Sequence, residues 1–80
     1  MERSPTVRDY MSEAPRCVGL DQKLSLAVAR MHDLGVRHLP VLEAGALVGV
    51  LSERDAALAM AAAPEAAVAM RVEDAMSAIP

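Results

Sequence analysis

Tryptophan and phenylalanine are absent from the 80 residues, and Tyr10 is the single aromatic side chain. The groups that supply the largest core contacts, and that stack on nucleic-acid bases, are therefore missing. No basic stripe is present either: 8 Lys and Arg stand against 11 Asp and Glu, a net charge of -3, and the charges are scattered. These absences argue against a nucleic-acid partner. No apolar run approaches the roughly 20 residues needed to span a bilayer, and Met1-Glu2-Arg3-Ser4-Pro5 lacks the apolar stretch of a signal peptide. The one cysteine, Cys17, cannot close an internal disulfide and has no neighbouring Cys or His at metal-ligand spacing. A cytoplasmic protein without a membrane partner is expected, with Cys17 as a small buried hydrophobe.

What is present is apolar but small. The hydrophobic fraction is 54%, much of it alanine, which buries little area per residue. A chain of this size buries only roughly 60% of the surface its unfolded form exposes. Such a composition predicts that part of the surface is covered by a partner, and self-association is the default expectation.

The chain echoes itself. Residues 6–15 align without gaps against residues 71–80, with Val7, Asp9, Met11, Ser12 and Pro15 matched by Val72, Asp74, Met76, Ser77 and Pro80. The pattern Val-x-Asp-x-Met-Ser, with proline three residues on, predicts a short helical turn whose Val and Met share a face and which the proline ends. The expected division is an N-terminal segment over 1–15, a repeat core over 16–63, and a linker with the opening of a second repeat over 64–80.

Within the core, Arg16 to Leu20 is a short β-prone run, and Asp21-Gln22-Lys23 leads out of it. Leu24, Ala27, Val28, Met31 and Leu34 recur at helical spacing, and Gly35 is a natural stop. Val36 to Leu42 reads as a strand, which must lie at an edge or turn Pro40 outward because proline cannot donate to a ladder. Glu43-Ala44-Gly45 then connects it to the apolar run Ala46 to Leu51, which makes a hairpin. From Ser52 to Pro64 the composition is helical, and the Ala-rich stretch from Glu65 to Met70 reads as helix or coil.

The segment that carries chemistry is Gly49-Val50-Leu51-Ser52-Glu53-Arg54-Asp55. A strand ends, a hydroxyl residue takes the helix N-cap position, and a carboxylate follows one turn later. Free N–H groups at such a helix start attract phosphate. Ser52 can donate to a phosphate oxygen, Asp55 can accept from paired ribose hydroxyls, and Arg54 adds positive charge. The same Ser-x-x-Asp pattern is also an ordinary cap, worth about 1 kcal/mol and needing no ligand.

The order of elements, Leu39-Pro40-Val41 after Arg37-His38, the Gly49 to Asp55 segment and the Val-x-Asp-x-Met openings together resemble the cystathionine-β-synthase (CBS) domain family. The resemblance runs from about Thr6 to Ala63 and resumes at Val72. That family's ligand motif is Gly, hydrophobic, any residue, Ser or Thr, two of any kind, then Asp, which Gly49, Val50, Ser52 and Asp55 satisfy. The resemblance implies an α+β fold, a β-α-β-β-α repeat with a small sheet packed on two helices, here as a truncated tandem pair. It also implies a non-catalytic regulatory module that binds AMP, ADP, ATP or S-adenosylmethionine in a cleft between paired repeats, with no required cofactor. By position, Ser52 is expected on phosphate and Asp55 on ribose. Cys17 and Val18 are expected beside adenine, and Arg37 and His38 along the cleft. Lys23 departs from the family's usual Ser or Thr at the first helix start, which moves the expected cap to Asp21. Because a second repeat is present only in its opening, a homodimer is expected to supply the missing partner by two-fold symmetry.

An enzyme is not expected. His32 beside Asp33 reads as a solvated pair on the polar face of the first helix, His38 as a ligand contact or a plain surface residue, and no nucleophile is paired with a positioned base. Met31 and Met60 fall on apolar helix faces, and core packing accounts for the methionines. The alternative from another class is a ligand-free dimerisation or interaction module in which Ser52 and Asp55 only cap a helix.

Overall fold

The computed structural model describes residues 16–80, so the helical turn expected over residues 6–15 lies outside the described residues. The order of elements is strand β1 (Val18–Gly19), helix α1 (Leu24–Leu34), strands β2 (His38–Glu43) and β3 (Ala46–Ser52), and helix α2 (Glu53–Ala62). Two 3₁₀ turns (Pro64–Ala69 and Val72–Asp74) and a short strand β4 (Ser77–Ala78) follow. The strands form one sheet in the order β1-β2-β3-β4, with β1 parallel to β2 and the other pairs antiparallel.

Helix α1 buries Leu24, Ala27 and Met31, as its periodicity predicts. Gly35 ends it at φ 69°, in the left-handed region. Its N–H donates to the His32 carbonyl and the next N–H, from Val36, to the Met31 carbonyl, so two of the helix's last carbonyls are satisfied. The start of α1 differs from expectation. Lys23, not Asp21, holds the N-cap position, and no side chain caps the helix. The Leu24 N–H donates instead to the Met70 carbonyl at 2.9 Å. A tertiary partner therefore satisfies a donor that local sequence leaves open.

That partner is the terminal segment. Lys23 bridges Arg71, the Val72 and Glu73 N–H groups donate to the Gln22 and Leu20 carbonyls, and the Arg71 guanidinium donates to the Asp21 carbonyl. Val72 reaches the core, where it is fully buried with Val18, Leu24, Ala27, Met31, Leu39, Val41, Leu51 and Ala56. Residues 71–80 thus pack on the preceding repeat, and β4 extends its sheet along β3.

The hairpin has a two-residue turn, Ala44-Gly45, because Glu43 already pairs with Ala46. Both turn residues have positive φ, 52° and 83°, the signature of a type I′ turn that matches strand twist. Ala44 adopts this conformation without the freedom of glycine or the local hydrogen bonding of asparagine. Strand β2 is interior, and Pro40 meets the proline constraint by the second expected route, exposed in the sheet opposite Val50. Glu53 N–H donates to the Arg37 carbonyl. By alternation, Pro40 then falls in a non-hydrogen-bonded pair and turns its nitrogen toward β1. It lacks the donor that would carry the parallel ladder toward Arg16, and β1 stops at two residues.

Gly49 is required by a close approach. A Cβ there would lie 2.7 Å from the Ser77 carbonyl oxygen and 3.1 Å from the Met76 sulfur. The glycine that opens the candidate ligand motif thus has a packing role, admitting β4 against β3. Gly49→Ala should push β4 away and cost about 1–3 kcal/mol in denaturant unfolding. Ala44→Asn should raise stability by roughly 0.5 kcal/mol by the same measurement, since asparagine suits the first position of a type I′ turn.

Candidate functional site

Strand β3 runs directly into α2, and Ser52 is the joint. It has extended geometry, φ −104° and ψ 153°, and its Oγ accepts from the Asp55 N–H at 2.9 Å. This is an N-cap in the expected place. One lone pair of the hydroxyl serves the cap, while its proton remains able to donate outward. Capping and ligand contact are therefore compatible at this residue.

Two features bring other side chains to Ser52. His38 pairs with it directly across the β2–β3 ladder, so both project from the same face of the sheet. Glu53 N–H donates to the Arg37 carbonyl at 2.8 Å, which ties the chain before β2 to the first turn of α2. The result is a cleft of about 620 Å³ lined by Val28 and His32 of α1, Arg37 and His38, and Ser52, Glu53, Arg54 and Ala57. That volume is within the range of small-molecule sites. Two guanidinium groups and two imidazoles face one carboxylate there, and the N-terminus of α2 adds partial positive charge. The local balance is the reverse of the chain's net charge of -3, and the cleft is suited to an anion.

Of the residues expected from sequence, Ser52, Arg54, Arg37 and His38 line the cleft together. Asp55 is half-buried one turn along α2 and does not line it. Cys17 and Val18 are buried, and the Cys17 carbonyl accepts from an Arg30 guanidinium nitrogen at 3.0 Å. That contact anchors the start of β1 to α1.

His32 joins the cleft and was not expected there. It is exposed, as read from the helical pattern, but the reversal at Gly35 lays Arg37 and His38 beside the last turn of α1. The six-residue spacing from His32 to His38 across a helix-stopping glycine was the available signal. No helix is long and apolar enough to cross a membrane, and no cluster of three His, Cys, Asp or Glu suited to a metal occurs, both among the described residues.

A family profile described as the CBS domain matches residues 7–62. Among solved structures, a protein from Burkholderia ambifaria MC40-6, described as a signal-transduction protein with CBS domains, is similar at 27% identity with a TM-score of 0.72, over 79% of this chain and 46% of the other. A CBS-domain containing protein from Agrobacterium tumefaciens is 28% identical with a TM-score of 0.70, over 90% of this chain and 61% of the other. A CBS-pair protein from Arabidopsis thaliana is 25% identical with a TM-score of 0.67, over 98% and 62% respectively. The chain thus spans about half to three-fifths of the length of the structures it resembles. No curated protein matches it.

Replacing the Ser52 hydroxyl separates its two capacities. Ser52→Ala should lower unfolding free energy by about 1 kcal/mol, whereas Ser52→Asp, an equally good cap, should leave it nearly unchanged in the same denaturation experiment.

Proposed function

The chain belongs to the CBS-domain family and carries its α+β repeat fold, and from that premise we propose that it binds an adenosine-containing ligand as a non-catalytic sensor. CBS domains are generally regulatory modules that bind ligands. The single observation that carries the finer reading is the convergence of Ser52, Arg37, His38 and Arg54 on one cleft at the start of α2. AMP, ADP, ATP and S-adenosylmethionine are the candidate effectors. Phosphate is assigned to Ser52 and the basic side chains in the cleft, and ribose to Asp55, which lies outside that lining, so its contact depends on the site being completed by the paired repeat. Cys17 and Val18 enter the proposal through the packing that holds β1 behind the adenine. Ligand binding would bias the arrangement of paired repeats and so pass a signal to a regulated partner.

In this reading residues 16–63 are the repeat, and residues 64–80 are a linker and the opening of a second. A two-fold-related copy of the chain supplies the other member of the pair. Support comes from the exposed apolar side chains Leu26, Leu47, Val50, Leu58, Val68 and Ile79, many for so small a chain. A reducing, cytoplasmic setting belongs to the same proposal and accords with the lone buried thiol of Cys17.

The observed hydrogen bond from the Asp55 N–H to Ser52 Oγ favours one second reading, a ligand-free dimerisation module in which the motif only caps α2. Titration calorimetry of the intact chain with adenine nucleotides separates the two. Heat of binding from the wild type, lost in Ser52→Asp while stability is retained, is the expected result, because a carboxylate at the cap repels phosphate. An absence of heat from every nucleotide would leave the cap reading. Asp55→Ala should weaken nucleosides and nucleotides about tenfold or more through the lost ribose contact, with an unchanged circular dichroism spectrum. Sedimentation equilibrium should show a dimer, and a folded monomer at high concentration would remove the two-fold pair from the proposal.

A further inference from the structure

We propose that residues 6–15 are a second occupant of the slot that residues 71–80 fill, and that another copy of this chain delivers them. This rests on the two-fold pair, gives it a contact, and does not depend on the ligand. Residues 71–80 hold the repeat largely through backbone groups. The Val72 and Glu73 N–H groups donate to the Gln22 and Leu20 carbonyls, the Ile79 N–H donates to the Val48 carbonyl, and Ser77 and Ala78 pair with Val50 and Gly49. Any residue but proline supplies such bonds. Three side chains do more. Val72 is fully buried in the core, the Asp74 carboxylate accepts from the Arg71 N–H at 2.8 Å, and the Met76 sulfur packs against Gly49. Each of these recurs, as Val7, Asp9 and Met11.

The differences between the two segments fall mostly where the slot reads no side chain. Arg71, Glu73, Ala78 and Ile79 are exposed, and Thr6, Arg8, Glu13 and Ala14 stand against them. The half-buried Ala75 is answered by Tyr10, the one counterpart with greater bulk beside the core. Thr6 forgoes the Arg71 guanidinium bond to the Asp21 carbonyl, but its hydroxyl can cap the turn by accepting from the Asp9 N–H.

Residues 6–15 cannot reach this slot in their own chain. Val18, Val41, Gly49 and Ala78 lie in one row across the sheet, so β1 and β4 stand three strand spacings apart, roughly 14 Å, and run in the same direction. With the segment in place, Glu13 would stand where Ala78 does, leaving four residues before Val18. A connection between parallel strands takes about a dozen or more. Pro15 would lie beyond the row at the far edge, and the three residues from there to Val18 span at most about 11 Å. A second copy has no such limit, and two chains related by a two-fold axis can exchange the segment reciprocally. Residues 71–80 compete through their high effective concentration. The outcome is an equilibrium between a monomer closed by residues 71–80 and a pair closed by residues 6–15.

Cysteine pairs in the full chain test this. Ser77 lies opposite Val50, and Ser12 of a second copy takes the same position, within disulfide reach. Under mild oxidation Ser12→Cys/Val50→Cys should give a disulfide-linked dimer whose yield rises with protein concentration. Adding Val72→Ala should raise that yield about fivefold or more by weakening the internal occupant, and adding Val7→Ala should reverse the gain. Ser12→Cys alone controls for pairing between two copies of that position. No linked dimer from any of these chains would overturn the proposal, as would a disulfide within one chain or a yield indifferent to Val7→Ala. A fluorescent peptide of residues 6–15, titrated into the unaltered chain, asks the same question without touching the core. It should bind at least about fivefold more tightly than its Val7→Asp form, and equal binding would overturn the proposal. A dimer in sedimentation without the cross-link would keep the two-fold pair and remove this contact.

Discussion

Val72 enters the core from a segment that lies beyond the helix-strand-strand-helix run, and much of the rest of the molecule is arranged around that intrusion. Its neighbours along the chain supply what the repeat lacks. The Met70 carbonyl takes the Leu24 N–H, residues 71–73 hydrogen-bond along the stretch from Leu20 to Lys23, and β4 pairs with the outer side of β3. A repeat without large aromatics has too little side-chain volume of its own to close the gap between β1 and α1. Closing it with a following segment ties together parts of the chain some fifty residues apart, Arg71 to Asp21 among them. Gly49 is the local condition for this arrangement, because any side chain there would meet the Ser77 backbone.

The same sheet organises the site. Strand β3 is held by β4 on one side and β2 on the other, and its last residue is also the cap of α2. Position along β3 therefore decides where the start of α2 points. The Arg37 carbonyl, receiving the Glu53 N–H, fixes the beginning of β2 against the same turn. Arg37, His38, Ser52 and Arg54 meet because three backbone constraints coincide there: a ladder pair, a cap and one hydrogen bond across the joint. The motif Gly-x-x-Ser-x-x-Asp is in this light two devices in series, a glycine that admits β4 and a serine that starts the helix, and the basic-lined cleft beside Ser52 depends on both.

The elements were legible where a local periodicity or a stop signal had a single physical meaning. Helix α1 followed from Leu24, Ala27 and Met31 and ended at Gly35 as a left-handed residue requires. The hairpin followed from two apolar runs about Glu43-Ala44-Gly45, though Glu43 pairs with Ala46 as the last residue of β2 and leaves a turn of two. The α2 cap at Ser52 followed from a hydroxyl residue between strand and helix. The cap of α1 was not legible, because Leu24 is served by a carbonyl from residue 70, and no reading of residues 21–24 contains that partner. Pro40 left two outcomes open, and the sheet order selected the interior one with the nitrogen turned toward a strand too short to need it.

Membership of the repeat family and the residues of its motif were determined by the sequence itself, since short-range patterns of Gly, Ser, Asp and Val carry them. Which basic groups share a cleft was decided only by tertiary structure. His32 is one solvated helix residue among several until the chain reverses at Gly35 and sets it beside Arg37 and His38. Asp55 and Ser52 are three residues apart in sequence, yet only Ser52 lines the cleft. Helical rotation separates them, and the joint between β3 and α2 determines which one faces the opening. The physical reason is the same in each case: sequence spacing sets the angle between side chains on one element, while a site is made by the distances between elements.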